Sequence, residues 1–130
     1  MSLIKGLKDL FTGNGTDPSE YWNVINETTQ VDEVLERSHR QPQLLYKHSN
    51  RCGTCMFAKS EIESSSGEIK EKAGMHFVDV IRSRAVSDYI AEKLNLRHES
   101  PQAILLVDGK VVWHNSHSAI KSDKILSKLY

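Results

Sequence analysis

Asp108-Gly109 stands between two strand-like runs, Ala103-Ile104-Leu105-Leu106-Val107 and Lys110-Val111-Val112-Trp113-His114. Asp and Gly tolerate the positive φ that a two-residue turn requires, and an Asp-Gly pair between such runs is the strongest short-range hairpin signal. This stretch is therefore an antiparallel pair. An isolated hairpin is marginal in water, so the rest of the chain must provide a sheet for it to join.

Three further segments can supply that sheet. Tyr21-Trp22-Asn23-Val24-Ile25 reads as a short first strand, and Gln43-Leu44-Leu45-Tyr46-Lys47 as a compact buried one. His76-Phe77-Val78-Asp79-Val80-Ile81 reads as a third. Between the first two, Thr28 and Thr29 are candidate N-caps for a helix carrying Val31, Val34 and Leu35. That helix should end near Arg40, because Pro42 disfavours helical geometry in the residue before it. A helical stretch from Thr54 to Lys72 is interrupted by Ser64-Ser65-Ser66-Gly67, which should split or kink it. Ser83 can cap a helix with a stripe of Val86, Tyr89, Ile90 and Leu94. Ile120, Ile125, Leu126 and Leu129 mark a last amphipathic helix. The order βαβαβαββα is an α/β arrangement with a mixed central sheet flanked by helices, the order of the thioredoxin fold.

Composition agrees with one globular domain. At 130 residues the chain can bury a core without staples. Its 17 basic and 17 acidic residues cancel, leaving no bulk field to attract nucleic acid or an anionic membrane. No apolar run approaches the roughly 20 residues of a membrane span, and the first segment lacks the apolar stretch of a signal peptide. Leu3, Leu7, Leu10 and Phe11 instead recur at helical spacing, and Gly13-Asn14-Gly15-Thr16-Asp17-Pro18 reads as a linker. Residues 1–18 are thus expected to be a short helix and linker, packed on the domain or serving as a weak docking segment, with the domain proper over residues 19–130. A cytoplasmic location is expected.

The chain has two cysteines, in Cys52-Gly53-Thr54-Cys55, between the buried strand and the helix after it. Two cysteines three residues apart are too few for a disulfide scaffold and suit redox or metal chemistry in a reducing compartment. At i and i+3 in a first helical turn their Cβ atoms lie about 5–6 Å apart, within reach of a disulfide with little backbone movement. Cys52 should stand at the helix start, where unsatisfied N–H groups and the dipole favour an anion, and Arg51 adds a positive charge next to it. Such surroundings lower a cysteine pKa from about 8.5 to roughly 3.5–7.5. Cys52 is then the exposed attacking thiolate, and Cys55, one turn in and shielded, the resolving thiol. Zinc is disfavoured: a structural site takes about four ligands, a lone CxxC offers two, and His114 and His117 miss the usual spacing. Two inert cysteines in a helix turn are the plain alternative. His48, four residues before Cys52, either tunes the thiolate or is hydrogen-bonded in place, and Trp113 is expected to cover the core.

Three stretches together carry a more specific signal: Tyr46-Lys47-His48-Ser49-Asn50-Arg51-Cys52, His98-Glu99-Ser100-Pro101-Gln102, and Asp108 through His117. With them the chain resembles the monothiol bacilliredoxins, thioredoxin-fold proteins linked to bacillithiol metabolism, over about Tyr21 to Leu129. The resemblance implies that Cys52 is the nucleophile and that Pro101 is a cis-proline facing it, with the backbone of Ser100 offered to the substrate chain. From the residues alone Pro101 could equally be an ordinary trans proline at a strand start. The chain departs from the family in Cys55, where a serine or similar residue is usual. It departs from thioredoxins proper in carrying Tyr46 where they have a buried acid, and Arg51 where they have an aromatic. The resemblance implies a thiol–disulfide oxidoreductase with no tightly bound cofactor. It would act on disulfide-bonded or thiol-modified proteins, with bacillithiol as co-substrate and a separate reductant. The competing function is a thioredoxin-fold binding or adaptor module without turnover.

Overall fold

The computed structural model describes residues 20–130, so the helix and linker expected over residues 1–18 lie outside the described residues. The elements are β1 (Asn23–Val24), α1 (Thr28–Arg37), β2 (Gln43–His48), α2 (Gly53–Glu63), α3 (Ser66–Lys72), β3 (Gly74–Asp79), α4 (Arg84–Leu94), β4 (Gln102–Val107), β5 (Lys110–Ser116) and α5 (Ser122–Leu129). They form a five-stranded sheet in the order β1-β3-β2-β4-β5. β1, β3 and β2 run parallel, and β4 and β5 pair antiparallel.

Alternation along the strands builds two cores. Leu44 and Tyr46 of β2, Met75 and Phe77 of β3, and Ala103 and Leu105 of β4 face one side, covered by α2, α3 and α5 through Ala58, Ile62, Ile69 and Ile125. Leu45, Val78, Ile104 and Leu106 face the other, under Val31 and Val34 of α1 and Val86 and Ile90 of α4. Each fully buried Leu, Ile or Val side chain contributes about 1.5–3 kcal/mol, so both faces are needed to offset the entropy of ordering the chain. Because β2 is central and buried along its whole length, its C-terminal end is a rigid mount for whatever follows. Trp113 packs, partly buried, against the first core.

Several local expectations shift. The first strand shortens to Asn23–Val24, while Ile25 extends the pairing through an N–H donated to Phe77 C=O at 2.9 Å. The N-cap of α1 is Glu27 rather than Thr28 or Thr29. Gln30 side-chain oxygen folds back to accept the Asn26 and Glu27 N–H groups at 2.8 and 2.9 Å, the third-residue half of a capping box. The serine-rich break separates α2 from α3, with the Ser64 hydroxyl donating back to Glu61 C=O at 2.6 Å. β3 ends at Asp79 rather than Ile81, because the Asp79 carboxylate accepts the N–H groups of Ile81 and Arg82 and turns the chain out of the sheet.

The hairpin is a primed turn with φ of +53° at Asp108 and +73° at Gly109. α1 holds it in place: Ser38 C=O accepts the Asp108 N–H at 2.8 Å and Ser38 Oγ the Gly109 N–H at 2.7 Å. A Cβ at Gly109 would lie 3.2 Å from His39 Cε1 and impose a side chain on a left-handed residue. Gly109→Ala is expected to lower stability by about 1–2 kcal/mol, read as a fall in the urea midpoint with an unchanged slope.

Candidate active site

The chain leaves β2 at His48, turns through Ser49-Asn50-Arg51 and enters α2. The turn is closed by Cys52 N–H donating to Ser49 C=O at 3.2 Å. Cys52 is the N-cap of α2, with extended φ and ψ of −117° and 118°. An N-cap side chain lies near the N–H groups of the second and third helical residues, here Thr54 and Cys55. The Cys52 thiol makes no capping hydrogen bond, and the Cys55 N–H donates to the Cys52 C=O at 3.1 Å, but the donor-rich end of the helix still favours negative charge on the sulfur. Gly53, with nothing within 4 Å of a would-be Cβ, leaves the approach to Cys52 open.

The two thiols are unbonded, Cys52 partly exposed and Cys55 buried, and their acidities move in opposite directions. Cys52 is held below the ordinary thiol range, first by the Cys55 N–H, then by the Cys55 thiol, with smaller help from the Thr54 N–H and hydroxyl. Its slight burial opposes them without reversing the direction. Burial pushes Cys55 up, opposed by the Ser100 hydroxyl and Ser49 N–H and reinforced by Cys52. Of the two sulfurs, Cys52 is the one that ionises first. Arg51 is exposed in the loop and is not among the groups that lower Cys52; backbone and side-chain groups of Thr54 and Cys55 in the first turn of α2 do that.

The first turn of α2 is tied to the sheet by a buried polar chain. Tyr46 O–H donates to Cys55 C=O at 2.8 Å. Its oxygen lies 3.0 Å from His48 Nδ1, and His48 Nε2 lies 3.0 Å from the Asn50 amide. Neutral His48 has one ring proton, so it donates either from Nδ1 to the Tyr46 oxygen or from Nε2 to Asn50 Oδ1. Burial holds His48 below its ordinary pKa and keeps it neutral, although the Asn50 contact opposes the shift. Burial also drives Tyr46 above the usual tyrosine range, with both cysteines and Glu63 adding to it, so it stays a donor. His48 is thus hydrogen-bonded in place rather than tuning the thiolate: it is absent from the groups acting on Cys52.

Ser100 and Pro101 approach from β4, the neighbour of β2 on its other side. Their peptide bond is cis. Ser100 Oγ lies 3.5 Å from Cys55 Sγ, and Pro101 is buried, its C=O accepting the His117 N–H at 3.2 Å. The loop before Ser100 is anchored by Lys47, which is fully buried on the opposite face of β2. Lys47 Nζ donates to Ser87 C=O at 3.1 Å and lies 3.2 Å from His98 Nδ1. Burial lowers the Lys47 pKa to about 8, with Asp88 opposing the shift.

The structure therefore brings Cys52, Cys55 and Ser100 together, with Pro101 directly behind Ser100 and Arg51 on the rim. Three contributors were missed at the level of sequence. Tyr46 was visible only as the absence of a buried acid. The side chain of Ser100, expected to act through its backbone, touches the inner sulfur. Lys47 read as a strand residue of no special role. Among the described residues no group of three His, Cys, Asp or Glu side chains could hold a metal ion, and no helix is long and apolar enough to cross a membrane.

A dithiol at the start of the helix that follows the central strand of this sheet defines a redox protein of the thioredoxin fold. Solved structures agree. A thioredoxin-fold protein provisionally described as an oxidoreductase superposes with a TM-score of 0.74 at 28% identity, covering 84% of this chain and 94% of its own. Thioredoxin O2 from Arabidopsis thaliana in the oxidized state gives 0.69 at 18% identity, over 85% of this chain and 95% of its own. Thioredoxin from Fasciola hepatica gives 0.64 at 19% identity, over 82% and 95%. The latter two show the fold alone. The chain belongs to the monothiol bacilliredoxin family, since the family model described as monothiol bacilliredoxin BrxC matches residues 23–125.

Two measurements check the site. Alkylation by iodoacetamide is expected to modify Cys52 first, with a rate that rises with pH to a midpoint below the ordinary thiol value, while Cys55 reacts more slowly and only at higher pH. Tyr46→Phe leaves Cys55 C=O and His48 Nδ1 without their buried partner. It should cost about 1–3 kcal/mol in chemical unfolding.

Proposed function

We propose that this chain is a thiol–disulfide reductase in which Cys52 attacks and Cys55 resolves. It acts on protein disulfides or on mixed disulfides between proteins and a low-molecular-weight thiol, bacillithiol being the one its family suggests. The observation that carries the reading is the placement of two sulfurs one helical turn apart, Cys52 partly exposed at the helix start and Cys55 buried beneath it, with burial and the helix end shifting their acidities in opposite directions. A thiolate whose pKa lies near ambient pH balances abundance against nucleophilicity.

In the first step the Cys52 thiolate attacks one sulfur of the substrate disulfide. A Cys52–substrate bond forms, the substrate S–S bond breaks, and the departing thiolate takes a proton from solvent. Cys55 then loses its proton and attacks the Cys52 sulfur, forming the Cys52–Cys55 disulfide and releasing the second substrate thiolate. Two electrons pass from the pair to the substrate, and a separate reductant, a small thiol or a protein dithiol, must return them. Tyr46 cannot take the Cys55 proton, because its own hydroxyl is held protonated. Ser100 Oγ, in contact with the Cys55 sulfur, is the group past which that proton leaves to solvent.

Ser100 and Pro101 form the wall opposite the thiols, with the Ser100 backbone offered to a bound chain, and Arg51 meets the substrate at the rim. A cleft of about 420 Å³ lined by Thr54, Phe57 and His117 adjoins this wall. Phe57 is 80% exposed there, an apolar contact suited to a protein substrate. A close cysteine pair used for exchange rather than architecture suits a reducing compartment, and the cytoplasm is the proposed site of action.

Cys55→Ser should accumulate a covalent adduct on Cys52 in cells, released by dithiothreitol and identified by mass spectrometry as a small thiol or a protein. Full turnover by this variant would make Cys55 incidental and the enzyme monothiol. If Cys52 forms no adduct and alkylates no faster than an unperturbed thiol, the chain is a binding module instead.

A further inference from the structure

A cavity of about 310 Å³ opens at the C-terminal ends of β1, β3 and β2, on the side of Cys52 away from Ser100 and Pro101. The ends of parallel strands are where open α/β sheets place ligands, and the volume is at the lower end of small-molecule sites. Phe77, Val24 and Met56 supply apolar wall, and His48, Asn50, Lys59, Asp79 and Arg82 supply polar groups. Asn50 precedes Cys52 by two residues and Met56 follows it by four, so the cavity borders the redox loop.

The charges on this wall are unequal. Lys59 is 6% exposed and one of its three N–H donors reaches Glu63 Oε2 at 2.8 Å. Glu63 also accepts the Trp22 indole N–H at 2.7 Å, and it is not part of the cavity wall whereas Lys59 is. Arg82 forms no ion pair among the described residues. Asp79, the one acid on the wall, already accepts the Ile81 and Arg82 N–H groups through Oδ1 at 2.9 and 3.0 Å. Arg82 is therefore the cation on this wall without an ion pair, Lys59 keeps two further N–H donors beside its bond to Glu63, and the one wall carboxylate is partly engaged, an arrangement matched by a carboxylate ligand.

We propose that this cavity holds the carboxylate end of an anionic low-molecular-weight thiol whose sulfur is exchanged at Cys52. The proposal rests on the reductase reading given above and assigns the small thiol a pocket distinct from the Ser100–Pro101 wall. Arg82 is the reachable cation at the mouth and Lys59 the fixed one inside. In the exchange, Cys52 thiolate displaces one thiolate from the small disulfide and keeps the other half as a mixed disulfide. The carboxylate of the retained half lies between Arg82 and Lys59 until Cys55 expels it as a thiolate.

The test uses the full-length reduced protein in single turnovers with glutathione disulfide, which carries carboxylates, and hydroxyethyl disulfide, which carries none. Arg82→Glu is expected to lower the ratio of the two rates about tenfold, the size of one charge-assisted hydrogen bond. Arg84→Glu, the same charge change at an exposed residue outside the cavity, should leave the ratio as it is. An unchanged ratio in Arg82→Glu, or an equal fall in both variants, overturns the proposal. S-methylglutathione, which cannot exchange, separates this site from the chemistry. Amide shifts at Asn50, Lys59 and Arg82 support the cavity even where neither disulfide is reduced, a result that would overturn the reductase reading alone. Shifts confined to Ser100–His117, or none, overturn the cavity proposal while leaving that reading standing.

Discussion

The first turn of α2 has N–H groups that no helical carbonyl can satisfy, and the rest of the site is arranged around them. A helix must begin somewhere, and its first residues always carry free donors. Here the Thr54 and Cys55 N–H groups lie on the Cys52 side of the turn and lower the pKa of its thiol, while the Cys55 N–H also reaches the Cys52 C=O at 3.1 Å. The thiolate is favoured there because the start of a helix is rich in donors. The tuning needs no dedicated charged side chain, which is why Arg51 can remain out on the rim.

For that arrangement to hold, α2 must not move relative to the sheet. The hydroxyl of Tyr46 bonds the carbonyl of Cys55, and its ring packs against Trp22, with centroids 5.3 Å apart, and Phe77, 6.0 Å apart. The position that in thioredoxins proper carries an acid is here a mechanical tie. The consequence runs into the chemistry: a tyrosine kept protonated can orient the inner cysteine but cannot take its proton, so the Ser100 hydroxyl becomes the polar neighbour of that sulfur. On the other face of the same strand, Lys47 binds α4 and the loop leading to Ser100. Consecutive residues of β2 thus govern the two sides of the site, Tyr46 the helix and Lys47 the loop.

Family membership and geometry meet at Cys55. The family is named for a single thiol, yet this chain places a second sulfur where it is buried, less acidic than usual and one turn from the first. The position is well suited to resolving a mixed disulfide inside the molecule. The same strand-end region that presents the thiols also leaves a polar space beside them: Asn50 of the turn between β2 and α2 lines that cavity, while Thr54 and Phe57 of α2 line the larger cleft.

Much of this was legible in the residues. The Asp108-Gly109 turn, the short apolar runs and the helical stripes determined an α/β sheet ending in a hairpin, because backbone conformational limits and burial periodicity act locally. The CxxC at a strand-to-helix junction determined the redox pair, because i and i+3 spacing and helix polarity are properties of a few consecutive residues. Edges were less legible: Glu27 rather than a threonine caps α1, and β3 stops at Asp79, since side chains such as Gln30 and Asp79 compete for the same backbone groups. What only the tertiary structure decided are the long-range pairings. Ser100 reaches Cys55 from 45 residues away, and Lys47 meets His98 across 51. The polar cavity beside Cys52, likewise, needs residues from three strand ends, the loops after them and α2. Such contacts depend on which strands become neighbours, and that is settled by packing two faces of one sheet at once rather than by any local preference.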